Sequence, residues 1–332
     1  MTTQLLVKRR TQRTLLALAG AVLAVVLAFM LSGCSGSGES SESTSETITI
    51  QALNGSGETA DIEVPYDPQR IAILDMACLD ILDNLGLGDR VVGSASTSID
   101  YLQDYVTNEN IANLGTIKEA DLEAVAAAEP DIIFIGGRLS ASYDDLAAIA
   151  PVVYIVADTE KGLVQSVNDN ATTIASIFGL ESEVEEKMSG FNDRIAALQE
   201  VANGHTALVT MYTSSSVNVL GNDGRCSIIG SEIGFDNLAA GETTSTHGNE
   251  TSFETIVQQN PEYIFVLNRD AAIGTDGADQ AQEIVENSLT QNTQAYQDGN
   301  IIYLEHPAVW YTAEGGITAL DTMLSDLEGA LL

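Results

Sequence analysis

Two segments of this sequence run in the same register without a gap, 131 residues apart. The first is Leu122-Glu123-Ala124-Val125, then Pro130-Asp131-Ile132-Ile133-Phe134-Ile135, then Arg138. The second is Phe253-Glu254-Thr255-Ile256, then Pro261-Glu262-Tyr263-Ile264-Phe265-Val266, then Arg269. Glutamate and arginine are 15 residues apart in both copies. A helical stretch, a proline and a buried strand, used twice, imply two similar α/β lobes. Open α/β sheets bind ligands outside the carboxyl ends of their strands, where both arginines fall.

The N-terminus carries Lys8, Arg9, Arg10 and Arg13, followed by an apolar run from Leu15 to Leu31. Such a run is long enough to span a bilayer or to act as a signal peptide. Its ending, Leu31-Ser32-Gly33-Cys34, resembles a bacterial lipobox, which implies cleavage before Cys34 and lipidation of that thiol. Residues 1–33 then form the signal peptide, and residues 34–46 a Ser/Gly/Glu tether outside the cytoplasm. Beyond the signal segment, nine Lys and Arg stand against 48 Asp and Glu. Nucleic-acid binding needs a basic footprint and is disfavoured. A charge this negative favours a soluble monomer. Cys78 and Cys226 remain, too few for a disulfide framework, and are expected to be buried as small apolar residues.

Short strands alternating with helices predict a first lobe over 47–180 and a second over 204–332. Residues 163–201 are almost wholly helical in pattern, divided at Gly179. Val184, Met188, Phe191, Ile195 and Leu198 recur at helical spacing. They predict one stiff spine helix over 181–203, about 30 Å long at 1.5 Å per residue. The expected fold is therefore α/β, with two Rossmann-like lobes around central parallel sheets joined by a single long helix. Little hinge motion is expected, so recognition is close to lock-and-key.

Arg138 follows Gly136-Gly137, which let a ligand come close. Arg225 lies in Gly221-Asn222-Asp223-Gly224-Arg225, read as a turn entering a helix whose N-terminus favours anions. With Arg269, three of nine cations fall at element ends facing one cleft. The competing reading of each is an ion pair with a carboxylate. His247 and Tyr311 lie in glycine-flanked stretches read as loop tips, either solvated or able to ligate a metal. His306 competes with His247, but Pro307 favours a structural role for it. There is no HExxH and no CxxC, so a conventional zinc site is not expected. No nucleophile elbow, P-loop or dinucleotide fingerprint is present. An acidic hydrolase remains the rival class, although nothing selects a carboxylate pair.

Several motifs in order carry a family resemblance. They are the lipobox, Pro68-Gln69-Arg70-Ile71-Ala72-Ile73-Leu74-Asp75, Leu85-Gly86, Asn113-Leu114-Gly115, and Asp121-Leu122-Glu123 with Glu129-Pro130-Asp131-Ile132-Ile133. Over residues 48–332 the chain resembles the helical-backbone, class III substrate-binding lipoproteins of ABC transporters for iron–siderophores, haem and cobalamin. It looks most like binders of ferric catecholate siderophores. The resemblance implies no enzyme activity and no intrinsic cofactor; Fe(III) is bound as the siderophore complex. It implies that Arg138, Arg225 and Arg269 hold the anionic chelate, while His247 and Tyr311 complete iron coordination. It implies that Glu123 and Glu254 dock the lobes onto the permease, which works with its ATPase. Haem and cobalamin are the alternative ligands within the family.

Overall fold

The computed structural model describes residues 46–214, 216–241 and 243–332. The apolar run, Cys34 and the tether up to residue 45 lie outside the described residues. In the first copy of the repeat, Asp121 accepts the N–H groups of Glu123 and Ala124 and so starts the helix Leu122–Ala127. In the second, Ser252 accepts the Thr255 N–H and starts the helix Phe253–Gln259. A left-handed residue directly precedes each proline: Glu129 at φ 45° and Asn260 at φ 47°. Asparagine adopts this conformation readily, whereas glutamate needs support. Arg70 supplies it, donating from Nε to the Glu129 carbonyl at 2.7 Å.

The acidic residue after each proline performs one job twice. Asp131 accepts the N–H groups of Gln69 and Arg70 at the entrance to one strand. Glu262 accepts that of Thr206 at the start of another. The repeat thus specifies a helix, a turn and the anchoring of a neighbouring strand.

The first lobe contains β1 (Thr47–Leu53), β2 (Thr59–Pro65), β3 (Ile71–Ile73), β4 (Val91–Ser94) and β5 (Ala112–Asn113). A small separate hairpin follows, β6 (Gly115–Thr116) with β7 (Glu119–Ala120). Then come β8 (Ile132–Ile135) and β9 (Val152–Tyr154). The sheet order is β2-β1-β9-β8-β3-β4-β5. Strands β9, β8, β3, β4 and β5 run parallel, with the β1–β2 hairpin added antiparallel at one edge. Ile71–Ile73 and Ile132–Ile135 are wholly buried, as strands covered on both faces must be.

The second lobe contains β10 (Thr206–Thr213), β11 (Ser216–Leu220), β12 (Asp236–Asn237), β13 (Asn249–Glu250), β14 (Tyr263–Asn268) and β15 (Ile301–Tyr303). Its order is β13-β11-β10-β14-β15, with β12 also pairing β10. Strands β12, β10, β14 and β15 run parallel in it, with β11 and β13 added on one side through antiparallel pairings. β10 and β11 are joined by a connection too short for a crossover, so they pair antiparallel. Alternate residues of β10 feed different cores. Val209 and Met211 join the apolar cluster that continues into the first lobe, while Leu208 and Tyr212 join a second cluster on the far face.

The expected single spine helix is not formed. Glu181–Met188 and Phe191–Ala202 are separate helices. Gly190 stands between them at φ 92°, a conformation that ends a right-handed helix. The apolar face persists across the break, which is why spacing alone reads through it. The preceding helix, Leu163–Ser176, ends near Gly179 at φ 67°, as the sequence implies. The closing helix, Ile317–Leu331, packs against both Met76–Asn84 of the first lobe and Phe191–Ala202. Buried Asp80 accepts the N–H groups of Thr318 and Ala319, each at 2.9 Å, and so caps the closing helix from the other lobe. Arg194 ties the closing helix to Phe191–Ala202 through Glu328 and Asp321.

Candidate functional site

Arg138 and Arg269 emerge where expected, just past β8 and β14. Gly136 is needed for a different reason than ligand approach. A side chain there would run into the Asp75 carboxylate. Asp75 occupies that space because it caps the helix Met76–Asn84, accepting the N–H groups of Ala77 and Cys78. Arg269 opens a four-residue helix whose cap is Asn268. Arg225 does not sit at a useful helix N-terminus. The helix after it spans only Ile228–Ser231, too short to build a dipole of consequence. Arg225 is instead placed by donating from Nη1 to the Thr246 carbonyl at 2.9 Å.

Tyr311 is not at a loop tip. It lies in the helix Pro307–Thr312 and is 3% exposed. Proline at the first helical position starts this helix. Asp326 then fixes it, accepting from Trp310 Nε1 at 2.8 Å and pairing with His306 Nδ1 at 2.6 Å. His306 is therefore structural.

The three arginines converge on Tyr311. The guanidinium carbons of Arg225, Arg138 and Arg269 lie 4.3, 5.3 and 5.8 Å from its ring centroid. Such cation–ring contacts are favourable. Arg269 Nε donates to the Tyr311 hydroxyl at 3.1 Å, and Arg138 Nη2 to the Tyr311 carbonyl at 3.3 Å. The hydroxyl also pairs with His247 Nδ1, 3.4 Å away, the donor being set by the imidazole tautomer. His247 is exposed, yet partial desolvation and the charges of Arg269, Arg225, Lys118 and Arg138 hold its pKa below the usual imidazole value. Burial and then Arg225 likewise lower that of Arg138, which stays cationic.

The ion-pair reading fails on geometry for two of these three arginines. Among the described residues, Arg138 and Arg225 form no salt bridge, and Arg269 reaches only Asp270 at 3.8 Å. By contrast, Arg90, Lys161 and Arg194 all pair with carboxylates. The cluster is thus a set of like charges held together without full neutralisation, an arrangement that suits an anion.

Two cavities, about 440 and 430 Å³, flank Arg138 and Tyr311, which line both. The first also holds Arg225, Asp75 and Glu314. Burial lifts the Glu314 carboxyl to about 7, against the opposing pull of Arg225 and the Cys226 N–H. Burial also raises Asp75. Lys118, on the β6–β7 turn, lines the second cavity. Lys118, Asp75 and Glu314 were not singled out from the sequence. Lys118 could have been, as one of only nine cations. Cys78 and Cys226 are free and buried. Glu123 and Glu254 occupy equivalent exposed positions in the first turns of the paired helices.

Known proteins share this fold. The petrobactin-binding protein YclQ of Bacillus subtilis is 31% identical over 93% of this chain and 97% of its own. Its crystal structure matches with a TM-score of 0.80, covering 86% of this chain and 99% of that one. The periplasmic catecholate-siderophore binding protein VctP of Vibrio cholerae matches with a TM-score of 0.78 at 28% identity, covering 86% and 100%. The ferric-anguibactin-binding protein FatB of Vibrio anguillarum is 25% identical over 78% of this chain and 81% of its own. The family model for periplasmic binding proteins matches residues 71–308, so the chain belongs to that family of substrate-binding proteins.

Proposed function

We propose that the protein captures an anionic Fe(III)–catecholate siderophore between its lobes and delivers it to an ABC importer. The observation that carries this reading is the convergence of Arg138, Arg225 and Arg269 on Tyr311. Guanidinium groups bind planar oxyanions and stack on aromatic rings, and a metal catecholate offers both. Fe(III) is a hard cation that a phenolate oxygen suits. Two donors at right angles on one metal, with bonds of about 2.0–2.1 Å, stand roughly 3 Å apart. The Tyr311 hydroxyl and His247 Nδ1 are 3.4 Å apart. They can therefore fill two neighbouring coordination positions left open by a four-oxygen bis-catecholate. The hydrogen between them leaves as the metal binds.

In this reading Cys34 carries the lipid that holds the receptor at the outer face of the membrane. Glu123 and Glu254, one on each lobe, meet cations of the permease. The relatives named for petrobactin, anguibactin and catecholate siderophores support the ligand class.

The test uses the chain's single tryptophan, Trp310, which is fully buried beside Tyr311. Titration with an iron(III) bis-catecholate should quench its fluorescence and give a saturable charge-transfer band. Haem and cobalamin should compete poorly. Absence of saturable binding to any ferric catecholate would overturn the proposal.

A further inference from the structure

The cleft is divided into two chambers of unlike chemistry. Arg138, Tyr311 and Thr312 line both and form the partition. The chamber with Arg225, Asp75 and Glu314 is charged. The other has an apolar lining of Met76, Ile117, Ala272 and Ile273. Hydroxyl groups of Ser96, Thr97 and Thr116 add polar atoms to it. Beyond Arg138 in the partition, the charge that lines it is Lys118, exposed, and without a carboxylate partner among the described residues. Both lobes contribute to it, and Ser98 Oγ donates to the Ala272 carbonyl at 2.7 Å across the junction.

A compact chelate centred on the Tyr311 partition does not explain this second chamber. Its volume, about 430 Å³, is close to the 440 Å³ of the charged one. Sites that orient a ligand combine an apolar lining with a few polar groups, and that is what it offers.

We propose that the second chamber is a specificity subsite for the organic scaffold that links the iron-binding groups. Its occupant is an aliphatic linker bearing a carboxylate that meets Lys118. Ile117 and Ile273 cover the linker from opposite lobes, and the hydroxyl groups take its amide or carbonyl atoms. This rests on the reading above, that the arginine cluster holds a ferric chelate. It adds that the protein selects among chelates by what joins their metal-binding arms.

The experiment compares three probes: iron(III) with free catechol, a bis-catecholamide on a carboxylated aliphatic linker, and the same compound with a neutral linker. Ile273→Trp fills the chamber from one lobe and Thr116→Tyr from the other, so one misfolded variant does not decide the matter. Each should weaken both linked chelates by about tenfold or more and leave the free-catechol complex within about twofold. Lys118→Gln should remove the preference for the carboxylated linker and spare the neutral one. Equal losses for linked and free chelates, or no losses, would overturn the subsite while leaving the arginine reading intact. A wild-type protein that binds none of the three would overturn the arginine reading itself.

Discussion

The guanidinium of Arg225 lies 4.3 Å from the centre of the Tyr311 ring, closer than either of the other two arginines around it. Arg225 comes from the second lobe's Gly221–Arg225 turn, and Arg138 follows a first-lobe strand. Tyr311 is therefore where the two lobes bring their positive charge together. Three like charges around one ring repel each other, and among the described residues no carboxylate forms a salt bridge with Arg138 or Arg225, although Asp75 and Glu314 attract them from farther off. That cost is tolerable where an anion is to be bound.

The arginines should accordingly behave in opposite ways with and without ligand. Arg225→Gln should weaken binding of a ferric catecholate by the loss of a charge-assisted contact, about 1.5–3 kcal/mol. In the ligand-free protein the same change relieves repulsion, so the thermal midpoint should hold or rise. Arg138→Gln should cost more stability, because Arg138 is half-buried and holds the Tyr311 carbonyl. A falling midpoint with unchanged affinity for Arg225→Gln would mean that the guanidinium serves the fold instead.

Glu123 and Glu254 sit in the first turn of their helices, exposed, without a salt bridge among the described residues. Near a helix N-terminus a carboxylate contributes a few tenths of a kcal/mol to stability, roughly 0.3–1. Replacing both with Gln should therefore barely move the thermal midpoint and should leave chelate affinity intact. Uptake of the iron complex by cells carrying the double variant should fall. Normal uptake would remove these residues from permease docking.

Much of this was legible because the signals are local. The repeat needs only a cap, a left-handed residue and a proline, so the helices, the strands β8 and β14, and the placing of Arg138 and Arg269 could be read directly. Tyr311 could not be placed the same way. Its six-residue helix depends on Asp326, which holds His306 and Trp310 from well along the chain. The spine helix misled for the opposite reason. Apolar spacing continues through Gly190, so the period alone hides the break that the glycine makes. Asp75 and Glu314 come to line the cleft only through tertiary packing.

Asp80 should leave a mark on the pH dependence of stability. Burial lifts its carboxyl from 3.8 to about 6, against the lowering effect of the Tyr101 hydroxyl and the N–H groups it caps. A raised acid pKa means the native state holds a proton that the unfolded chain has already lost. The associated stability is present in full below the ordinary value and is lost as pH rises through about 6. Glu314, lifted to about 7, acts in the same direction. The thermal midpoint should thus fall from about pH 4 to about pH 7 and level off above that. Asp80→Asn should flatten the lower part of that slope, while losing one capping acceptor. Parallel curves for the two proteins would show that Asp80 does not titrate in this window.

Tyr311 and His247 meet at the partition, where the metal reading can be tested on one atom. Tyr311→Phe keeps the ring, so the arginine contacts survive and the fold should be retained. What is lost is the hydroxyl that accepts from Arg269 and meets His247. With a bis-catecholate, which leaves two iron positions open, this variant should shift and weaken the charge-transfer band. With a hexadentate tris-catecholate, which leaves none, the spectrum should hardly change. Acid should act on the same complex through His247, because a protonated imidazole cannot ligate. Since desolvation and four nearby cations already lower the His247 pKa, the loss should set in below the ordinary value of 6.5 rather than at it. His247→Gln should remove that acid step and leave the arginine contribution intact. If Tyr311→Phe and wild type gave identical bis-catecholate spectra, the cleft would hold its chelate by charge alone.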